Sequence, residues 1–117
     1  MNIRLDSRSV KMVVDEIFRS EIIRRILSVA SPDKIILFGS AAAGAMTDDS
    51  DIDLLVVEPS PVNQREESLR IYEKLSGMGR PFDVIVISTD WFDATKDVIG
   101  GIAYPANKYG KVIYDAA

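Results

Sequence analysis

The segment that most constrains the fold is a short apolar run near the middle of the chain. Residues 52–57 read Ile-Asp-Leu-Leu-Val-Val, and Glu58-Pro59 follows them. Beyond Asp53 the run lacks the polar alternation of a half-exposed strand, which predicts a strand covered on both faces. Two similar runs, 34–38 and 82–87, are short, apolar and rich in β-branched residues. Together they predict an α/β (α+β) chain with a small central mixed β-sheet of three to four strands, flanked by helices.

The segments around these runs carry helical patterns. Apolar residues recur at helical spacing between residues 10 and 30, with a phase slip near Ser20-Glu21, so residues 1–31 are predicted to contain an N-terminal helical segment packed on the sheet. Pro32 should end that segment, because proline disfavours helical geometry at the residue before it. Ser60-Pro61 has the pattern of a helix N-cap followed by proline at the first helical position, and predicts the start of the next helix.

The C-terminal region is predicted to complete the same domain. Thr89 opens a further helix or turn, a short helix is predicted to end at Tyr109, and residues 111–114 form an edge strand. No internal repeat or linker interrupts the pattern, and a hydrophobic content of 47% in 117 residues is enough for one core. Residues 1–117 are therefore predicted to form a single domain.

The absence of two residue types narrows the chemistry. The chain contains neither cysteine nor histidine, which excludes disulfides, thiolate catalysis and sulfur-ligated zinc, and removes the usual general base. A bound metal would need oxygen ligands, which favour magnesium, manganese or calcium. A net charge of −4 argues against non-specific binding to nucleic acid, which needs a concentrated basic face.

The N-terminal residues lack the apolar core of a secretory signal, and no apolar run approaches the length of a membrane span. We therefore expect a cytoplasmic protein without a membrane partner.

The acidic residues before and within the central run predict a metal site. Asp48, Asp49, Asp51 and Asp53 fall within six residues, and like charges this close raise one another's pKa unless a cation or solvent relieves them. Alternation along a strand places Asp51 and Asp53 on one face. If the strand containing Asp83 lies beside theirs, three carboxylates converge, and such a set can hold two Mg²⁺ ions, with Mn²⁺ as the alternative. The competing interpretations are a solvated acidic turn and a water-facing residue on an edge strand.

A glycine turn upstream offers a place for phosphate. Gly39-Ser40 follows the run 34–38, and residues 41–44, Ala-Ala-Ala-Gly, are predicted to form a short helix. Backbone N–H groups at such a turn, and the Ser40 hydroxyl, suit an anion such as a triphosphate. A dinucleotide-binding loop is excluded, because it needs three spaced glycines and a longer helix.

These motifs carry a family resemblance. A strand ending in Gly39-Ser40, a second glycine at Gly44, and Ser50-Asp51-Ile52-Asp53 opening the next strand resemble the signature of the DNA polymerase β-like nucleotidyltransferase superfamily. The small size and the closing segment 109–114 look most like the minimal nucleotidyltransferase group of antitoxin type. The resemblance implies the polymerase β-like nucleotidyltransferase fold.

The resemblance also implies the roles of the site residues. Asp51, Asp53 and Asp83 would be the catalytic, metal-binding carboxylates. The nucleotide-binding residues would be Gly39, Ser40, Gly44 and Ser50. The activity implied is magnesium-dependent transfer of a nucleoside monophosphate, AMP from ATP, to a hydroxyl acceptor. Such domains often pair with a small helical partner of the HEPN class, a toxin that in some systems is modified on a tyrosine.

One departure from the family pattern keeps a second function open. Many members carry Arg, Lys or Tyr directly after Gly-Ser, where this chain has Ala41, Ala42 and Ala43. The alternative is a binding module, catalytically weak or inactive, that neutralises a helical partner by contact. Arg80, Lys108 and Lys111 are the basic residues that could replace the missing ones. A partner protein or a second copy of the chain, as a homo-oligomer, is expected to complete the small site.

Overall fold

A computed structural model of the chain describes the backbone of residues 3–5 and 12–14, and both backbone and side chains of residues 16–44 and 50–117. The predicted acidic residues Asp48 and Asp49 lie outside the described residues. The strands are β1 (Ile3–Leu5), β2 (Met12–Val14), β3 (Lys34–Phe38), β4 (Ile52–Glu58), β5 (Phe82–Ser88) and β6 (Lys111–Asp115). The helices are α1 (Glu16–Leu27), α2 (Gly39–Ala43), α3 (Gln64–Lys74), α4 (Thr89–Thr95) and α5 (Ala103–Tyr109).

The N-terminal segment differs from the helical prediction for residues 1–31. Ile3–Leu5 and Met12–Val14 form an antiparallel pair of strands, and the helix α1 begins only at Glu16. The helical prediction for residues 12–14 was wrong because Val13 and Val14 fit helical spacing as well as strand propensity. Within α1 the expected stripe is present, since Phe18, Ile22 and Ile26 are buried at intervals of four residues.

The main sheet has four strands in the order β5-β4-β3-β6. Strand β3 is antiparallel to both β4 and β6, whereas β4 and β5 are parallel and α3 connects them. The predicted mixed sheet of three to four strands is confirmed, and so is the assignment of residues 111–114 to an edge strand. The parallel pairing of β4 and β5 sets their first residues side by side.

The sheet is covered on both faces, as the central run predicts. Leu54, Leu55, Val56 and Val57 have no exposed surface. On one face Leu54 and Val56 pack with buried residues of α1 and α3, and on the other face Leu55 and Val57 pack with buried residues of α4 and α5. We call these the α1/α3 face and the α4/α5 face. Burying this apolar area supplies the main driving force for the fold.

The start of α3 also differs from the prediction. Asn63, and not Ser60, is the N-cap: its side-chain oxygen accepts a hydrogen bond of 3.0 Å from the Glu66 N–H, and α3 begins at Gln64. Asparagine is as good an N-cap as serine, so the Ser-Pro pattern did not decide between them. Among the residues that the structure describes, no helix combines the length and apolar character needed to cross a bilayer.

Candidate active site

The strand register brings the predicted aspartates to one edge of the sheet. Phe38, the last residue of β3, lies opposite Asp53, and Asp53 lies opposite Asp83 on the neighbouring parallel strand. Asp51 directly precedes β4. Asp83 was expected to join the other two aspartates only if its strand lies beside β4. The structure meets that condition.

The three aspartates also share a face. Asp53 alternates with Leu55 and Val57 along β4, and Asp83 alternates with Ile85 and Ile87 along β5, so both belong to the α4/α5 face. Asp51 is two residues before Asp53, so the alternation of side chains places it on the same face. Asp51 and Asp83 are exposed, and Asp53 between them is half-buried.

The electrostatics centre on Asp53. Partial burial raises the pKa of its carboxyl, and the negative charges of Asp83 and then Asp51 raise that pKa further. The charges of Asp51 and Asp83 therefore both disfavour ionisation of Asp53. A cation placed among them would stabilise all three ionised forms, as expected for a site built from hard oxygen donors.

The donor set fits a divalent metal ion, although the side chains do not enclose one. In the ranges 16–44 and 50–117, no three acidic side chains are gathered closely enough to form a ligand shell. The observations in favour of a metal are the all-carboxylate donors and the raised pKa of Asp53.

Gly39 is required at the start of α2 for two reasons. Its φ is +67°, in the left-handed region that favours glycine, and a Cβ there would overlap Oδ2 of Asp53 and stand 3.3 Å from Cγ. The β3–α2 turn thus lies directly against the central carboxylate. No side chain caps α2 at Phe38. The predicted phosphate position at Gly39-Ser40 is consequently adjacent to the predicted metal position.

Gly44 and Ser50 have structural contacts of their own. Gly44 is the left-handed C-cap of α2, with φ +69°, and its N–H donates to the Ser40 carbonyl. The Ser50 carbonyl accepts a hydrogen bond of 2.6 Å from Nη2 of Arg80, and the Ile52 N–H donates to the Pro81 carbonyl at 2.9 Å. Their predicted contacts with a nucleotide remain predictions.

The three basic residues named from the sequence occupy different places. Arg80 holds the Ser50 carbonyl and so fixes the approach to β4. Lys111 lies opposite Leu37, whose side chain belongs to the α1/α3 face, so Lys111 faces away from the aspartates. Lys108 belongs to α5 on the α4/α5 face, where its Nζ lies 5.6 Å from the ring centroids of Tyr104 and Tyr109. Of the three, only Lys108 belongs to a helix that packs on the face of the aspartates, and its exposed Nζ donates a hydrogen bond of 3.2 Å to the Tyr104 hydroxyl.

Comparison with known families agrees with this geometry. Residues 19–102, more than half of the chain, match the family model described as a nucleotidyltransferase domain. The chain belongs to the nucleotidyltransferase domain family. The family prediction from the Gly-Ser and Ser-Asp-x-Asp motifs is confirmed, as is the polymerase β-like nucleotidyltransferase fold. No curated protein matches the sequence.

Several solved structures share the fold. A toxin–antitoxin crystallised with AMP-PNP is 19% identical, with 83% of this chain and 73% of that chain covered and a TM-score of 0.65. A proposed nucleotidyltransferase from Sulfolobus solfataricus is 20% identical, with coverage of 84% and 78% and a TM-score of 0.57. A mutant of the toxin–antitoxin MntA-HpeT is 18% identical, with coverage of 83% and 73% and a TM-score of 0.61. At these identities the likeness is one of fold.

Proposed function

We propose that the chain is a magnesium-dependent nucleotidyltransferase that transfers AMP from ATP to a hydroxyl acceptor and acts as an antitoxin. The observation that carries the proposal is the placement of Asp53. It lies between Asp51 and Asp83 on one face of the sheet, and the Gly39 backbone packs against its carboxylate. The carboxylates proposed to bind metal and the turn proposed to bind phosphate are thereby adjacent, which supports transfer from a nucleoside triphosphate.

The three aspartates have different proposed roles. Asp51 and Asp53 would hold one or two Mg²⁺ ions, which, when bound, neutralise charge on the phosphates and on the leaving pyrophosphate. Asp83 is exposed and lies beside Asp53, so it can orient an acceptor hydroxyl and take its proton. The acceptor oxygen then bonds to the α-phosphorus as the bond to pyrophosphate breaks, and pyrophosphate leaves with its electron pair.

The remaining residues position the nucleotide. The Gly39-Ser40 turn would contact the triphosphate through backbone N–H groups and the Ser40 hydroxyl. Lys108 is proposed to supply the positive charge that Ala41, Ala42 and Ala43 lack, because α5 packs against α2 and lies on the face of the aspartates.

The proposed acceptor is a tyrosine hydroxyl on a small helical HEPN-type toxin. Two of the similar structures are toxin–antitoxin complexes, and one of them was crystallised with AMP-PNP. Those facts concern the related proteins and support the proposal for this chain through its shared fold. The partner would also supply the surface that so small a domain lacks around its site.

Label transfer from α-labelled ATP tests the activity. The purified chain, mixed with MgCl₂ and the proposed HEPN-type partner, should label that partner. Asp51→Asn and Asp53→Asn should each reduce labelling by about 10²-fold or more, because each removes a charged ligand. Asp90→Asn is the matched control, since Asp90 is an exposed aspartate of α4. Absence of labelling at every Mg²⁺ or Mn²⁺ concentration would overturn the proposal.

A second candidate is neutralisation by contact alone. It is favoured by the three alanines of α2, which leave the first turns after Gly39 without a basic side chain. Co-expression of the toxin partner with an Asp51→Asn, Asp53→Asn double variant separates the two functions. Protection of cells that requires both aspartates excludes contact alone, whereas full protection by the double variant excludes nucleotidyl transfer as the means of neutralisation.

A further inference from the structure

A cleft lies at the end of the sheet opposite the aspartates. It has a volume of about 630 Å³, within the range of small-molecule sites. The end of α1, the loop after β4 and the first half of α3 form its walls. Glu58, the last residue of β4, also lines it and is five residues from Asp53, or about 17 Å along a strand. The cleft is therefore separate from the candidate active site.

Glu58 is unusual for its burial. Its exposed fraction is 5%, and no other charged side chain in the described part of the chain is buried. A buried carboxylate is costly unless a cation or hydrogen-bond donors compensate it. The neighbouring group is another acid, Glu67 of α3, and two carboxyl groups can share a hydrogen bond only when one of them is protonated. Burial, and then the carboxyl group of Glu67, raise the pKa of Glu58 to about 7, and the nearby charge of Arg70 opposes that rise.

The charged groups around Glu58 include more acids than bases. Those lining the cleft are Glu58 itself and Glu66, Glu67 and Arg70 of α3, and Arg70 forms its ion pair with Glu67. The lining part of α1 contributes no charge. Asp33, beside the start of β3, accepts a hydrogen bond from Thr89 and does not line the cleft. Three acids and one base thus face a space whose other walls include apolar side chains, among them Leu27, Val29, Pro61 and Val62.

We propose that this cleft binds an organic cation, an ammonium or guanidinium group on an aliphatic stem, with the cationic head on Glu58 and Glu67. The head would replace the shared proton, and the stem would lie along Leu27 and Val29. The bound cation would compensate the negative charge of the Glu58 and Glu67 pair, which a shared proton compensates when no cation is bound. A free diamine and a lysine or arginine side chain of a partner protein share this chemistry.

The proposal predicts a linked proton. Since the cation and the proton compete for the carboxyl pair of Glu58 and Glu67, affinity should rise by about tenfold between pH 6 and pH 8.

Isothermal titration calorimetry of the full chain tests the proposal. Putrescine and the peptides acetyl-Gly-Lys-Gly-amide and acetyl-Gly-Arg-Gly-amide are the probes, at pH 6 and pH 8, in two buffers of different ionisation enthalpy that count released protons. We expect proton release at pH 6 and about tenfold weaker binding by Glu58→Gln and by Glu67→Gln. The tighter probe identifies the source of the cation.

The controls keep the result independent of folding and of nucleotidyl transfer. Glu73→Gln changes an exposed glutamate of α3 outside the cleft and should bind as the unchanged chain does. Circular dichroism confirms that each variant is folded, and no ATP is present. Absence of binding by all three probes at millimolar concentration, or equal binding by Glu58→Gln and the unchanged chain, would overturn the proposal. A Glu58-dependent response to MgCl₂ alone would assign the cleft to a metal and overturn it as well.

Discussion

Gly39 carries two constraints at a single backbone position. Its positive φ disfavours any side chain, and the space that a Cβ would fill is occupied by Oδ2 of Asp53. The first constraint affects stability, whereas the second affects the position of a proposed metal ligand. The two effects can be separated because another glycine of the chain has only the first constraint.

Gly39→Ala should therefore impair activity out of proportion to its effect on stability. The left-handed backbone costs about 1–2 kcal/mol for alanine, and displacement of Asp53 should lower label transfer by about 10²-fold. Gly77→Ala is the control, since Gly77 has φ +87° and open space around its Cβ position. It should lose similar stability in urea unfolding and retain activity. Equal activities of the two variants would show that the contact with Asp53 is unimportant.

Glu58 should make the stability of the protein depend on pH. Its pKa is about 7 in the folded chain against 4.5 for the ordinary carboxyl, so the folded state binds the proton more tightly. The stabilising contribution is complete below about pH 4.5, falls as pH rises, and is lost above about pH 7, by at most about 3 kcal/mol. The raised pKa of Asp53 acts in the same direction.

Urea unfolding from pH 5 to pH 8 measures this dependence. Glu58→Gln should flatten the curve and be the more stable variant at pH 8, because it removes a buried charge. A fall in stability that is unchanged in Glu58→Gln would contradict the assignment to Glu58.

At the scale of elements, the local sequence pattern predicted a helix or a strand correctly where it was compatible with only one of the two. The apolar runs 34–38 and 82–87 became strands because their length and β-branched content leave little alternative, and α2 ends at Gly44 as a left-handed C-cap. Residues 12–14 were assigned wrongly because three residues are too few to distinguish the two periods. Glu58 was interpreted as the end of a strand, and its burial follows only from the packing of α1 and α3 over β4.

The N-cap of α3 offers a direct test at this scale. Asn63→Ala should cost about 1 kcal/mol, since it removes the acceptor for the Glu66 N–H. Ser60→Ala, at the position favoured by the sequence pattern, should change the free energy of unfolding by less than about 0.5 kcal/mol. Urea denaturation of the two variants compares them, and a larger loss for Ser60→Ala would restore the original interpretation.

The placement of α5 on the face of the aspartates leads to a kinetic prediction. Lys108→Ala should raise the KM for ATP by about tenfold, because it removes a charge proposed to contact the triphosphate. Lys111→Ala should leave the KM unchanged, since Lys111 faces the other side of the sheet. Initial rates of label transfer over a range of ATP concentrations measure both. Equal effects of the two substitutions would refute the assignment.

At the scale of the whole molecule, the site depends on strand order, which no local pattern encodes. Asp51 and Asp53 could be paired from alternation alone, but Asp83 joins them only because β5 lies parallel to β4 with Asp83 opposite Asp53. The hydrogen bond from Arg80 to the Ser50 carbonyl likewise depends on that neighbourhood, and no motif indicates it. The motifs identified the family, and the register determined which carboxylates share a face.

The two ends of the sheet have different chemistry. One end carries Asp51, Asp53 and Asp83 on one face beside a glycine turn, and the other places buried Glu58 in a cleft between α1 and α3. Both ends concentrate negative charge, in keeping with the net charge of −4. We therefore propose a cation at each end, a metal ion beside the aspartates and an organic cation beside Glu58.

The most direct test of the central claim is a crystal structure of the chain soaked with MnCl₂ and a non-hydrolysable ATP analogue, with Mn²⁺ located by anomalous scattering. We predict a peak at about 2.1–2.2 Å from carboxylate oxygens of both Asp51 and Asp53, with the triphosphate on the Gly39-Ser40 turn. Asp83 should lie within reach of the same ion. An anomalous peak elsewhere, or nucleotide bound away from Asp53, would contradict the proposal that these aspartates form a nucleotidyl-transfer site.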